Sequence, residues 1–280
     1  MSLISQINLT PAFPLTKSPL VHCITNDISL ETVANALLYV GAKPFMADYP
    51  VEFADVFPQT DAVLLNLGHL SANQVEALQA AADWAKQTQK PTVLDVVGIS
   101  ATTLRAELAQ QLLETLPAGA VVKGNFSEMR TLAGLTSHGR GVDNNPQDQA
   151  ATLVTELADS LSKLAQPFPQ TIFLATGATD LVVTASQKFL LNNGVPELDR
   201  FTGSGDIVGA LIAALLGDGQ KPLTATFNAV SYLNLCGQQA AALQKSTSGL
   251  ATFRHLTLDQ LSLTWQNHSW ANGAQISELP

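Results

Sequence analysis

The sequence is poor in the residues that cross-link small folds. Its 280 residues include only two cysteines, Cys23 and Cys236, far apart and without ligand spacing. Neither a disulfide framework nor a zinc site is indicated, and both read as small buried apolar residues. The five histidines (His22, His69, His138, His255, His268) are scattered, and no HExxH pair occurs. His22, within an apolar run, reads as a hydrogen-bonded core histidine. Positive charge is scarce, with 14 Lys and Arg against 23 Asp and Glu, a net charge of −9. Such a surface repels phosphate backbones and excludes generic nucleic-acid or anionic-membrane binding, while leaving room for a local cationic pocket. No apolar run reaches the ~18 residues of a membrane span. The opening stretch, Met1 to Val21, lacks a basic start followed by a continuous apolar run, so it does not read as a secretory signal. A soluble cytoplasmic protein is expected.

What is abundant is aliphatic. Hydrophobic residues make up 46% of the chain and aromatic residues only 6%, which suits helices packed on a sheet. Short apolar runs at Pro19–Ile24, Lys43–Met46, Asp61–Asn66, Pro91–Asp95, Ala120–Lys123 and Thr171–Ala175 predict buried strands. Between them, Leu30–Val40, Ser71–Gln87, Thr102–Leu116 and Gln147–Leu164 predict helices. A hairpin is expected at Asp180–Thr184 and Lys188–Leu191, turning at Ala185–Gln187. Helices follow from Gly203 onward and over Leu223–Leu243 and Leu258–Gln266. This alternation predicts an α/β fold with a mostly parallel central sheet covered by helices on both faces. The Gly141–Gln149 segment reads as a surface connection too short to separate domains, so one domain over residues 1–280 is expected.

Ligands of open parallel sheets bind beyond the carboxyl ends of the strands. The polar residues there are Thr25–Asp27, Asn66–Gly68, Asp95–Gly98, Lys123–Glu128 and Thr176–Asp180. The most informative segment is Phe201–Asp206, with Gly203, Ser204 and Gly205 leading into an apolar helix. Glycines let successive N–H groups point into one small space, and the helix start adds free donors and a positive dipole end. Such a site can hold the charge of a transferring phosphoryl group, with Asp206 accepting a proton from an attacking hydroxyl. Equally, Asp206 or Ser204 could be a plain helix cap. No GxxxxGK[ST] occurs. The GxGxxxG of Gly203, Gly205 and Gly209 is one residue off the dinucleotide fingerprint and lies late in the chain, so P-loop and Rossmann readings are disfavoured. Asn125 and Glu128 can form a capping box. Alternatively, Glu128 and Asp95 lie near a magnesium ion through water, with Lys123 supplying positive charge to nucleotide phosphates.

These motifs resemble the ribokinase-like superfamily, with Gly203–Asp206 as its anion hole and catalytic Asp and Asn125–Glu128 as its magnesium-associated Asn-x-x-Glu. Within it, the chain is most similar to the hydroxyethylthiazole kinases. Pro19-Leu-Val-His-Cys-Ile-Thr-Asn26 resembles their opening signature. Ala34-Asn35, Gly41–Ala47, Asn66–Gly68, Asp95–Gly98, Lys123–Glu128 and Thr176–Asp180 follow in family order. The resemblance covers about residues 19 to 245. It implies transfer of the ATP γ-phosphoryl group to the hydroxyl of 4-methyl-5-(2-hydroxyethyl)thiazole in thiamine salvage, with Mg²⁺, in a homotrimer whose active sites lie between subunits. By position, Met46, Asn26 and Gly203 would lie against the thiazole and Lys123 and Thr176 against the nucleotide. Asp206 would deprotonate the hydroxyl. Met46 also reads as core and Asn26 as a cap. Three positions depart from the family pattern: Asp206 stands for the usual Cys, Val96 for Pro, and Lys123 for Arg. The first of these keeps open a related kinase for a hydroxymethylpyrimidine or pyridoxal, and the other two a ligand-binding homologue without turnover.

Overall fold

The computed structural model describes residues 7–139, 145–168 and 170–279. The first six residues of the predicted non-signal stretch, and residues 141–144 of the predicted surface connection, lie outside the described residues. In chain order the elements are β1 (Leu20–Ile24), α1 (Leu30–Tyr39), β2 (Lys43–Phe45), α2 (Phe53–Val56), β3 (Ala62–Asn66), α3 (Ala72–Thr88), β4 (Thr92–Asp95), α4 (Thr103–Thr115), β5 (Val121–Asn125) and α5 (Phe126–Leu132). They continue with α6 (Ala151–Ala165), β6 (Ile172–Thr176), β7 (Asp180–Val183), β8 (Lys188–Leu191), α7 (Ser204–Gly217), α8 (Pro222–Leu243), α9 (Leu250–Leu263) and β9 (Ile276–Glu278).

The strands form one sheet in the order β2-β1-β3-β4-β5-β6-β7-β8-β9. Pairings from β2 to β6 are parallel and those from β6 to β9 antiparallel, so the mostly parallel sheet expected from the alternation is present. Successive side chains of a strand face opposite ways, and the sequence makes both faces apolar. Ala62 and Leu64 of β3 join the core shared with α1, α7 and α8. Val63 and Leu65 join the core shared with α3, α4, α5 and α6. Because β1 pairs with β2 on one side and β3 on the other, the chain winds outward both ways from that strand pair. The crevice of an open α/β sheet lies at such a reversal. Among the described residues no helix is long and apolar enough to cross a membrane.

Helix starts follow local chemistry. Ser71 and Thr102 accept from the N–H groups of Gln74 and Arg105 and so begin α3 and α4. The Asp180–Thr184 hairpin turns where expected, with the Thr184 hydroxyl accepting from the N–H groups of Ser186 and Gln187. Three boundaries differ from expectation. The first residues of the predicted Gln147–Leu164 helix belong to a separate 3-10 turn, Pro146–Gln149. The last predicted helix starts eight residues earlier, at Leu250. A short final strand, β9, extends the sheet beyond the hairpin.

Candidate active site

Helix α7 starts over the carboxyl ends of β1, β3, β4 and β5. Gly203, its N-cap residue, has φ +96°, a left-handed backbone that glycine adopts without strain. A Cβ there would also come within 3.2 Å of the Ser29 Cβ. Among the described residues no side chain caps α7, so its first N–H groups, which have no intrahelical partner, are left to another acceptor. Asp206 sits in this first turn but does not turn back to cap it. Its Oδ1 accepts from Asn66 Nδ2 at 2.8 Å, and its Oδ2 accepts from Asn26 Nδ2 at 3.3 Å and from Ser29 Oγ. Asn26 and Asn66 follow β1 and end β3, and Ser29 precedes α1. The cap reading of Asp206 is thereby set aside.

Directly beneath α7 lies a buried ion pair, Lys123 Nζ to Asp95 Oδ2 at 2.6 Å. The glycine face of the helix lies over this pair at ordinary contact distance. A Cβ on Gly205 would lie 3.8 Å from Lys123 Nζ, and one on Gly209 would lie 3.9 Å from Asp95 Oδ2. Burial pushes Asp95 up to about 6, aided by the Asp206 charge and opposed by Lys123. Burial alone would pull the Lys123 ammonium down, but the Asp95 carboxylate holds it above its ordinary value. The departure at Val96 has a physical account: its N–H donates to Lys123 O at 2.8 Å, extending the β4–β5 ladder, and a proline has no such donor.

Glu128 completes the capping box that the spacing predicted. Asn125 Oδ1 accepts from Glu128 N at 2.9 Å, while Glu128 Oε2 accepts from Asn125 N at 2.7 Å. Glu128 Oε1 also accepts from Gly98 N at 2.7 Å. Burial first, and the Asp95 charge second, push Glu128 up to about 7. Among the described residues no group of three or more His, Cys, Asp or Glu side chains could hold a metal ion. Two carboxylates, each already engaged by the protein, fit a magnesium ion that keeps several of its waters.

Thr176 ends β6 opposite Asn125 and donates to Gly124 O at 3.4 Å. Its turn is held by Asp180, which accepts from Gly177 N at 3.0 Å and Asn234 Nδ2 at 2.8 Å, and by Gln149, which accepts from Ala178 N at 2.9 Å. Burial pushes Asp180 up to about 7. Asn26, Lys123, Asp95, Glu128, Thr176 and Gly203–Asp206 thus share one end of the sheet. Met46 follows the carboxyl end of the edge strand β2, which runs parallel to β1, and is half-buried against the core that includes α1 and α7. Sequence reasoning missed Ser29 and Gln149. A serine before a helix signals only a cap, and nothing in the sequence marks Gln149.

The sheet order and the glycine-led helix over its carboxyl edge define the architecture of the ribokinase-like proteins. A ribokinase-like superfamily protein from Enterococcus faecalis V583 superposes with a TM-score of 0.61 at 17% identity, over 89% of this chain and 87% of that one. The chain belongs to the hydroxyethylthiazole kinase family, whose model matches residues 15–266. It is 58% identical over 259 residues to the hydroxyethylthiazole kinase of Lacticaseibacillus casei (strain BL23), covering 92% of this chain and 91% of that protein. The structure of hydroxyethylthiazole kinase protein from Pyrococcus horikoshii OT3 superposes with a TM-score of 0.79 at 30% identity, over 95% of this chain and 96% of that one.

Proposed function

We propose that the chain acts as a single kinase unit that transfers the γ-phosphoryl group of ATP to the hydroxyl of 4-methyl-5-(2-hydroxyethyl)thiazole, serving thiamine salvage in the cytoplasm. The observation that carries this reading is the Asp206 carboxylate, held by three donors at the start of an uncapped helix. Asp206 takes the proton of the alcohol as its oxygen forms a bond to the γ-phosphorus. The bond from that phosphorus to the β–γ bridging oxygen breaks, and its electron pair leaves with ADP. The N–H groups that open α7 at Gly203, Ser204 and Gly205 meet the charge spread over the transferring phosphoryl oxygens. The Lys123 ammonium adds positive charge from below the helix, so here it acts through the floor of the anion site and not as an exposed phosphate clamp.

Thr176 lies on the nucleotide side of the site. Asp95 and Glu128 would hold the water shell of a Mg²⁺ ion, which supplies charge neutralisation for the nucleotide phosphates. Gly203 and Met46 would face the thiazole, with Asn26 beside it. A homotrimer with shared sites is supported by exposed large apolar side chains clustered in sequence around the edge strand β2, namely Ile28, Leu38, Tyr39, Tyr49 and Val51.

Asp206 itself favours a second reading, a related kinase for a hydroxymethylpyrimidine or pyridoxal. The deciding experiment is ATP-dependent phosphorylation of hydroxyethylthiazole, hydroxymethylpyrimidine and pyridoxal in parallel at one magnesium concentration. Preference for the thiazole supports the first reading, and preference for another alcohol supports the second. No turnover of any of the three would leave a ligand-binding homologue.

A further inference from the structure

We infer that Asn66, Asn26 and Ser29 form a hydrogen-bonding cage that donates to the Asp206 carboxylate, positions it and leaves Oδ1 to receive the alcohol proton; this rests on the proposed role of Asp206 as base. An amide side chain can present either its oxygen or its NH₂ to a neighbour, and backbone donors settle which way both of these face. Asn26 Oδ1 accepts from Ile28 N at 3.1 Å and Ser29 N at 3.0 Å. Asn66 Oδ1 accepts from Gly68 N at 2.8 Å and Asn26 Nδ2 at 3.1 Å. Both oxygens are therefore occupied, and both NH₂ groups point at Asp206. Gly68 makes room for this packing: a Cβ there would come within 2.9 Å of Asn26 and Asn66 alike.

Ser29 supplies an independent sign. It stands at the N-cap position of α1, yet its side chain caps nothing. Its single hydroxyl proton has two acceptors in reach, Asn26 Oδ1 at 3.2 Å and Asp206 Oδ2. An ionised carboxylate is the stronger acceptor, so the proton goes to Asp206. Asn26 and Asn66 thus face Asp206 with their NH₂ groups, and Ser29 adds its hydroxyl proton to the same carboxylate. A carboxylate oxygen has about two lone-pair sites. Among the described residues, those of Oδ2 are filled by Asn26 and Ser29, whereas Oδ1 accepts from Asn66 alone and keeps one site for the incoming proton. The three positioning residues are buried, while Asp206 is only partly so.

The test is steady-state kinetics on whichever of the three alcohols turns over fastest, using Ser29→Ala, Ser29→Thr, Asn66→Ala and Asp206→Ala with thermal melting of each. A hydrogen bond to a charged group corresponds to about a 10- to 100-fold change. Asn66→Ala and Ser29→Ala are expected to lose about that much in kcat, with KM for ATP within about twofold, and Ser29→Thr to recover most of the loss. Since Ser29 does not cap α1, its alanine variant keeps the fold and decides the matter if Asn66→Ala does not fold. Wild-type kcat in folded Ser29→Ala, beside an inactive Asp206→Ala, would overturn the cage and leave the base intact. A loss seen in KM alone, or one that Ser29→Thr does not relieve, would also overturn it. Near-wild-type turnover in Asp206→Ala would remove the base and the cage together, as would a wild-type chain inert on all three alcohols.

Discussion

Two helices begin at the carboxyl edge of the sheet, one on each face, and they are finished in opposite ways. At the start of α5, Asn125 and Glu128 satisfy each other's backbone donors reciprocally, so that terminus is closed. At the start of α7, Gly203 brings no side chain and Asp206 is turned away into its cage, so that terminus is open. The closed start carries acidic groups in a low-dielectric setting. The open start combines an anion-accepting backbone with the ammonium of Lys123 beneath it. An open helix start is thus informative where the one acid able to close it has been engaged elsewhere, and α7 meets that condition.

Substitutions at the two starts separate their roles. Gly203→Ala forces a non-glycine residue to φ +96° against Ser29. It should cost about 1–3 kcal/mol of stability and at least about tenfold in turnover, read by denaturant unfolding and initial rates. Asn125→Ala removes the closure of α5 and should cost about 1 kcal/mol, with a smaller fall in turnover than Gly203→Ala. A larger fall from Asn125→Ala would reverse the assignment of the two termini.

The smallest effect concerns protons. Asp95 at about 6 and Glu128 at about 7 stand above their ordinary values of 3.8 and 4.5. The folded chain therefore binds more protons than the unfolded chain between those limits, and these groups lower stability as pH rises through that window. Glu128→Gln should flatten the wild-type decline between pH 5 and pH 8, measured as unfolding midpoints at both pH values. An unchanged slope would show that Glu128 is not the titrating group.

Much of the sheet was legible because parallel strands covered on both faces read as unbroken apolar runs. The start of α9 was not, since its buried stripe of Phe253, Thr257, Gln260 and Leu261 is half polar and disguises the helical period. Strand β9 is three residues long with a single buried position, too short to leave an alternating pattern. At the site, the glycines, Asp206 and the capping box were visible as local motifs. The partners of Asp206 were not readable as such, because they lie 140 to 180 positions away in the chain and use residue types that ordinarily close turns and helices.

The pairing of β1 with β3 has a consequence for tolerance to change. Ile24 is in register with Leu65, so the spacing between Asn26 and Asn66 just beyond them is ruled off by main-chain hydrogen bonds. The backbone ladder serves as a measuring stick, and the core on either face can drift in sequence without altering the gap into which the carboxylate fits. Stability and catalytic alignment can therefore vary separately along this chain, the first through its aliphatic interior and the second through two strand ends.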